Sequence, residues 1–258
     1  MGKRLTIIGN GLAGTRALEE LLERAPGLYD ITVFGEEPHK PYDRIQLSSV
    51  LAGTKTVDEL SLHGPTWYED HEVEFHAGTR IGAIDRDRRA LWTAQGERFE
   101  YDRLLICTGS KPRMLPLPGA ELEGVLGFRE IGDVERMKRA AATHERAVVI
   151  GGGLLGLEAA HGLLEQGMQV TVVHILDTLM EQQLDASAGA LLRSALEQRG
   201  FEFRMEHRTE AILGDERVRG VRFAGGEEVD ADLVVMAVGI VPNKFLGEQA
   251  GLECGRGI

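Results

Sequence analysis

Cysteine is nearly absent: Cys107 and Cys254 are the two in 258 residues, 147 positions apart. That count excludes a disulfide framework and a Cys-x-x-Cys redox pair, and a four-cysteine iron–sulfur site cannot be built from two thiols. Aromatic residues make up 5%, so the core must be aliphatic. Cations are also short, with 29 Lys plus Arg against 41 Asp plus Glu and a net charge of −12. This argues against binding to nucleic acid or to an anionic membrane. A phosphate-bearing ligand must then be held by backbone N–H groups, not by a basic surface. The eight histidines show no spacing that suggests a metal. No run approaches the ~20 apolar residues of a membrane span. Leu5–Ile8, after Met-Gly-Lys-Arg, is too short for a secretory core, so the cytoplasm is the expected location.

Glycine is in excess, at 33 residues. The length suggests one or two domains at ~150 residues each. The chain also repeats itself. Arg4–Gly14 reads RLTIIGNGLAG and Arg146–Gly156 reads RAVVIGGGLLG. Each is an apolar run followed by G-x-G-x-x-G. A helical pattern follows in both, over Thr15–Arg24 and over Leu157–Gln166, the latter closed by Gly167. A β-rich run comes next, Ile31–Phe34 and Val170–Val173. A second echo pairs Thr79–Gly109 with Thr209–Gly239, offset by 130 positions at both ends. Each reads as strand, turn, strand, then a returning strand (YDRLLICTG and ADLVVMAVG). Two copies of βαβ plus a β-meander predict an α/β chain of two Rossmann-like nucleotide-binding domains. The copies differ between their echoes. Pro38–Thr56 reads as irregular, whereas the second copy has a helix over Asp185–Arg199 with Asp185 as N-cap. Lys111–Pro118, with three prolines, reads as a linker.

The glycines carry the chemistry. Gly9 and Gly151 turn the chain off a strand, Gly11 and Gly153 let backbone approach a pyrophosphate, and Gly14 and Gly156 let the helix pack on the strand. Leu12 and Ala13, and Leu154 and Leu155, lie within the two fingerprints and are expected cofactor contacts, and the N-termini of the helices that follow would face the anion. After the first copy, Glu36 and Glu37 stand where a carboxylate accepts ribose hydroxyls, and the choice between them is open. The second copy has His174 and Ile175 there, with no carboxylate and no following Arg for a 2′-phosphate. That leans toward NADH over NADPH, with His174 the candidate for touching the ribose. Two dinucleotide sites without metal or thiol chemistry suggest hydride transfer from a mobile nicotinamide to a bound flavin. Cys107 reads as a small core residue, and Trp67-Tyr68 as packing for the irregular stretch.

GNGLAG at 9–14, CTGS at 107–110, GGGLLGLEAA at 151–160 and AVGIVPN at 237–243 resemble the pyridine-nucleotide-disulfide oxidoreductase superfamily without its dithiol. The similarity covers essentially the whole chain. It implies three-layer ββα domains: an FAD domain over 1–114, completed by 242–258, and an inserted NAD(P)H domain over 115–241. FGEEPHKPYDRIQLSSVLAG and LMEQQLD resemble more closely the N-terminal part of assimilatory NAD(P)H nitrite reductase large subunits. Ferredoxin and rubredoxin reductases are the near neighbours. The resemblance implies Arg44 over the flavin region, Thr108 and Gly109 close to FAD, and Glu158 at the flavin–nicotinamide junction. Arg44 and Glu158 are thus the expected catalytic residues, and Ile81, Val238 and Gly239 join the cofactor contacts. Electrons would leave to iron–sulfur and sirohaem centres in missing or partner regions, or to a small redox protein. A stand-alone reductase and a nucleotide-binding fragment without turnover are the alternatives, and a homodimer is a further expectation. Ser49 stands where neighbours carry a Lys near the flavin. The family's later Gly-Asp strand lies beyond Ile258, so the C-terminus reads as truncated.

Overall fold

The computed structural model describes residues 2–258, and the chain divides into two compact units. Unit 1 holds Met1–Asp43, Leu60–Lys111 and Val241–Ile258; unit 2 holds Arg44–Glu59 and Pro112–Ile240. The chain starts in unit 1 with β1 (Lys3–Ile8), α1 (Leu12–Arg24) and β2 (Tyr29–Phe34). It enters unit 2 for a 3-10 turn at Arg44–Gln46 and the short helix α2 (Leu47–Leu51). Back in unit 1 come α3 (Trp67–Asp70), β3 (Glu74–His76), the meander β4 (Ile81–Asp85), β5 (Ala90–Thr93) and β6 (Arg98–Glu100), then β7 (Arg103–Ile106) and β8 (Ser110–Pro112). Unit 2 continues with β9 (Val125–Gly127), α4 (Ile131–Ala141), β10 (Arg146–Ile150), α5 (Leu154–Glu165), β11 (Gln169–Val173), α6 (Ala186–Glu197) and β12 (Glu202–Arg204). A second meander, β13 (Thr209–Gly214), β14 (Val218–Phe223) and β15 (Glu228–Asp230), leads to β16 (Leu233–Met236), β17 (Ile240–Pro242) and α7 (Phe245–Gln249).

Each unit has a parallel sheet, in the order β3-β2-β1-β7 and β12-β11-β10-β16-β9, and a three-stranded antiparallel meander. The layering follows from period-2 alternation along the strands. In unit 1, Ile8 and Phe34 face Ile81, Ile84 and Leu91 of the meander. Their neighbours Ile7, Ile31 and Val33 face Leu18 of α1. In unit 2, Val148, Ile150, Val173 and Met236 pack on Ile212, Val221 and Phe223. Both units are therefore the ββα sandwich that the family resemblance implies, built on the βαβ and meander repeat.

The strand before each glycine turn is flanked by the strand after its helix and by the returning strand. Ile8 pairs Phe34 and Ile106; Ile150 pairs Val173 and Met236. The connections run off in opposite directions from that point, which is the switch point where open α/β sheets bind ligands. Each copy also carries the same brace. The Arg4 N–H donates to Asp102 and the Asp102 N–H to the Arg4 carbonyl, while Arg146 and Asp232 repeat both bonds.

The stretch read as irregular is partly helical. Leu47, Val50 and Leu51 fall at i, i+3 and i+4 and are all buried. Leu51 fills the space over Gly162 of α5, where an added Cβ would stand 2.5 Å from its Cγ. Lys138 and Gln166 donate to the carbonyls of Val50 and Leu51. These contacts group Arg44–Glu59 with unit 2, although sequence order alone keeps the segment among residues of the first domain. Among the described residues, no helix is long and apolar enough to cross a membrane, and no cluster of His, Cys, Asp and Glu could hold a metal.

Candidate dinucleotide sites

The first turn shows why its glycines are required. Gly9 has φ +109°, and a Cβ there would lie 2.1 Å from the Cys107 carbonyl oxygen. A Cβ on Gly14 would lie 2.1 Å from the Gly9 carbonyl. Helix α1 thus sits directly against the turn. Gly11 is its N-cap; no side chain caps the helix, and its first turn carries no acid. The N-terminal N–H groups, which an α-helix cannot satisfy internally, are left with no side-chain cap, and the helix dipole favours an anion there. Leu12 and Ala13 line this end.

Asn10, the middle residue of the turn, accepts a hydrogen bond from the hydroxyl of Tyr68, 58 positions away. Tyr68 stacks on Phe75 at 4.4 Å, and burial pushes its phenol well above its ordinary range. Trp67 stacks on His63 at 3.9 Å. The pair thus holds its segment against the turn. Of the two acids after β2, Glu37 accepts a 2.6 Å bond from Tyr42, whereas Glu36 is exposed and 3.7 Å from Arg80. Just after the returning strand β7, Thr108 and Gly109 are clasped by Asn243. The Thr108 hydroxyl donates to the Asn243 carbonyl at 2.7 Å, the Asn243 amide donates back to Thr108 at 2.8 Å, and the Asn243 N–H donates to Gly109. Asn243 was visible only as part of a quoted motif. The side chain of Ile81 is committed to the core. Burial also raises the pKa of the Cys107 thiol.

The second turn repeats the geometry. Gly151 has φ +125°, with a Cβ position 2.4 Å from the Ala237 carbonyl, and Gly156 is blocked by the Gly151 carbonyl at 1.9 Å. Gly153 is the uncapped N-cap of α5, and its Cβ position meets open space. Leu154 and Leu155 are exposed at this end. Gly239 is in the left-handed region, also facing open space, and Val238 packs under it against the core. The middle residue differs. A Cβ on Gly152 would strike His174 Cγ and Leu179 Cδ2, both at 2.8 Å. His174 is buried, and its Nδ1 accepts the Gly152 N–H at 3.1 Å. Its Nε2 lies 3.3 Å from Glu181. Sequence order places no carboxylate here, yet the fold brings one.

Glu158, on α5, is half-buried, and that burial pushes its carboxyl above the ordinary range. Arg44, at the start of the 3-10 turn, donates to the Arg129 carbonyl at 3.3 Å.

Both turns fit a dinucleotide: glycine where a Cβ would clash, an uncapped helix N-terminus, and a sheet switch point behind it. The pyridine nucleotide-disulphide oxidoreductase family model matches residues 3–258, so the chain belongs to that family of oxidoreductases. It is 47% identical to the nitrite reductase [NAD(P)H] of Bacillus subtilis over 259 aligned positions, covering 100% of this chain and 32% of that protein. It is 42% identical to the assimilatory nitrate reductase electron transfer subunit of the same organism, covering 99% and 33%. Among solved structures, the ferredoxin reductase for the CYP199A2 system of Rhodopseudomonas palustris superposes with a TM-score of 0.91 at 30% identity, covering 100% of this chain and 64% of that one. The chain therefore spans about a third of the length of these two B. subtilis relatives.

Proposed function

We propose that these residues are the dinucleotide-handling part of an FAD-dependent NAD(P)H oxidoreductase, with FAD at the first turn and NAD(P)H at the second. The observation that carries this reading is the recurrence, in two units of one plan, of an uncapped helix N-terminus behind a glycine turn. When bound, the flavin supplies a hydride acceptor that can release electrons singly. The chain's own residues bind and orient. Glu36, exposed while Glu37 is held by Tyr42, accepts the ribose hydroxyls of the first dinucleotide. Thr108 and Gly109, fixed by Asn243, lie beside Gly9 and close the first site. Glu158, in the partly desolvated setting that raises its carboxyl, and Arg44 serve the nicotinamide–flavin region, as the family resemblance implies.

The B. subtilis relatives support a place as the electron-input module of a nitrite reductase. The same proposal has NADH preferred, since no Arg follows His174 for a 2′-phosphate, and electrons passing to iron–sulfur and sirohaem centres outside these residues. A homodimer and a cytoplasmic setting belong to the same reading. A stand-alone reductase serving a small redox protein is the second reading, favoured by the superposition of this whole chain on 64% of the R. palustris ferredoxin reductase. The purified chain is expected to carry flavin absorbance that bleaches on anaerobic addition of NADH. A colourless chain that still binds NADH would leave only a nucleotide-binding fragment.

A further inference from the structure

We infer that Glu181, positioned by His174, accepts the 2′-hydroxyl of the adenosine ribose at the second turn, and so selects the unphosphorylated nicotinamide dinucleotide. The inference rests on reading that turn as the NAD(P)H site. In a βαβ dinucleotide fold the ribose acceptor stands at the end of the strand after the glycine helix. Here that position is His174, directly after β11, and its Nδ1 is already used by the Gly152 N–H. An Nδ1 that accepts leaves the proton on Nε2 in the neutral ring. That Nε2 is buried and 3.3 Å from Glu181, but out of alignment for a hydrogen bond, and it has no other partner.

The segment after His174 folds back onto the turn: the Met180 N–H donates to the Gly152 carbonyl at 3.0 Å, with Met180 at φ +53°. A non-glycine residue in the left-handed region is a costly conformation that the surrounding structure must maintain. It sets the next residue, Glu181, beside the turn with its side chain still partly open to solvent. Between Met168 and Leu192 the chain has no Lys or Arg, but it has Asp177, Glu181 and Asp185. The cation on the adjoining strand, Arg204, is paired with Glu227 at 3.5 Å. A 2′-phosphate would meet negative charge, whereas a 2′-hydroxyl would meet an acceptor.

The test is isothermal titration of the full chain with NADH and with NADPH. Wild type is expected to bind NADH about 10-fold or more tightly than NADPH, the scale of one hydrogen bond to a charged group. Glu181→Gln should erase most of that gap, mainly by weakening NADH, and Glu181→Arg should reverse it. His174→Asn should reduce the gap, and the double variant should lose no more than Glu181→Gln alone. An unchanged NADH-to-NADPH ratio in Glu181→Gln overturns the inference. Should Gly153→Val bind NADH as wild type does, the site reading itself fails, and that result is distinct from the first.

Discussion

The two glycine turns share a backbone and differ at their middle residue, and the difference shows how one plan is specialised. In the first copy that residue is Asn10, whose side chain is held from outside the βαβ unit by Tyr68. In the second it is Gly152, because the space a side chain would occupy is filled by His174 and Leu179. The first copy places its acids right after β2, at Glu36 and Glu37. The second brings Glu181 back from a loop seven positions beyond His174. The parts common to both are set by the close approach of strand, turn and helix backbone at Gly9, Gly14, Gly151 and Gly156. The parts that differ lie beside the middle residue of each turn.

The common part should be hardest to change. Gly14→Ala and Gly156→Ala each place a methyl about 2 Å from a backbone carbonyl that cannot rotate away. Each is expected to cost at least about 3 kcal/mol, the upper range for overpacking, as read by denaturant unfolding. Equal losses would show that the two turns are mechanically equivalent.

Gly152→Ala breaks the symmetry. The methyl meets His174 and Leu179 side chains, which can shift, so a loss of about 1–3 kcal/mol is expected. NADH affinity should fall with flavin content unchanged. The mirror change, Asn10→Gly, should leave the second site untouched.

Tyr68→Phe removes the donor to Asn10 and leaves a part-buried acceptor unpaired. A loss of about 1–2 kcal/mol in thermal stability is expected, together with weaker flavin retention and unaltered NADH binding.

The smallest effect concerns Glu158. Burial raises its folded-state pKa, so the neutral form is favoured in the native protein. Its stabilising contribution is present below the unfolded carboxylate pKa and is lost as pH rises through the folded value. Glu158→Gln should therefore stabilise the fold slightly at neutral pH, by under about 1 kcal/mol given the solvent screening, read as a small rise in melting temperature, and the gain should vanish in acid.

The repeat, both βαβ units, both meanders and the glycine positions were legible in the sequence, because positive φ and carbonyl contact leave no other residue possible at Gly9 and Gly151. The N-cap at Asp185 was legible for a similarly local reason: its carboxylate accepts the Ala188 N–H at 2.8 Å. What escaped is non-local. The Tyr68–Asn10 bond joins residues 58 apart, and the Asn243 clasp joins residues 135 apart. No periodicity encodes either contact. The helix α2 was hidden by its length, since five residues cannot show a helical period against flanking Gly, Pro and Thr. Glu181 was read as part of a motif, but only the return of the loop to the Gly152 carbonyl puts it at the turn.

The most direct test of the central claim, that the two copies hold two different dinucleotides, is the flavin content of Gly11→Val and Gly153→Val alongside their anaerobic reduction by NADH. Gly11→Val should be colourless, and Gly153→Val should be yellow but no longer bleached by NADH. A yellow Gly11→Val chain, or a Gly153→Val chain reduced at the wild-type rate, would contradict it.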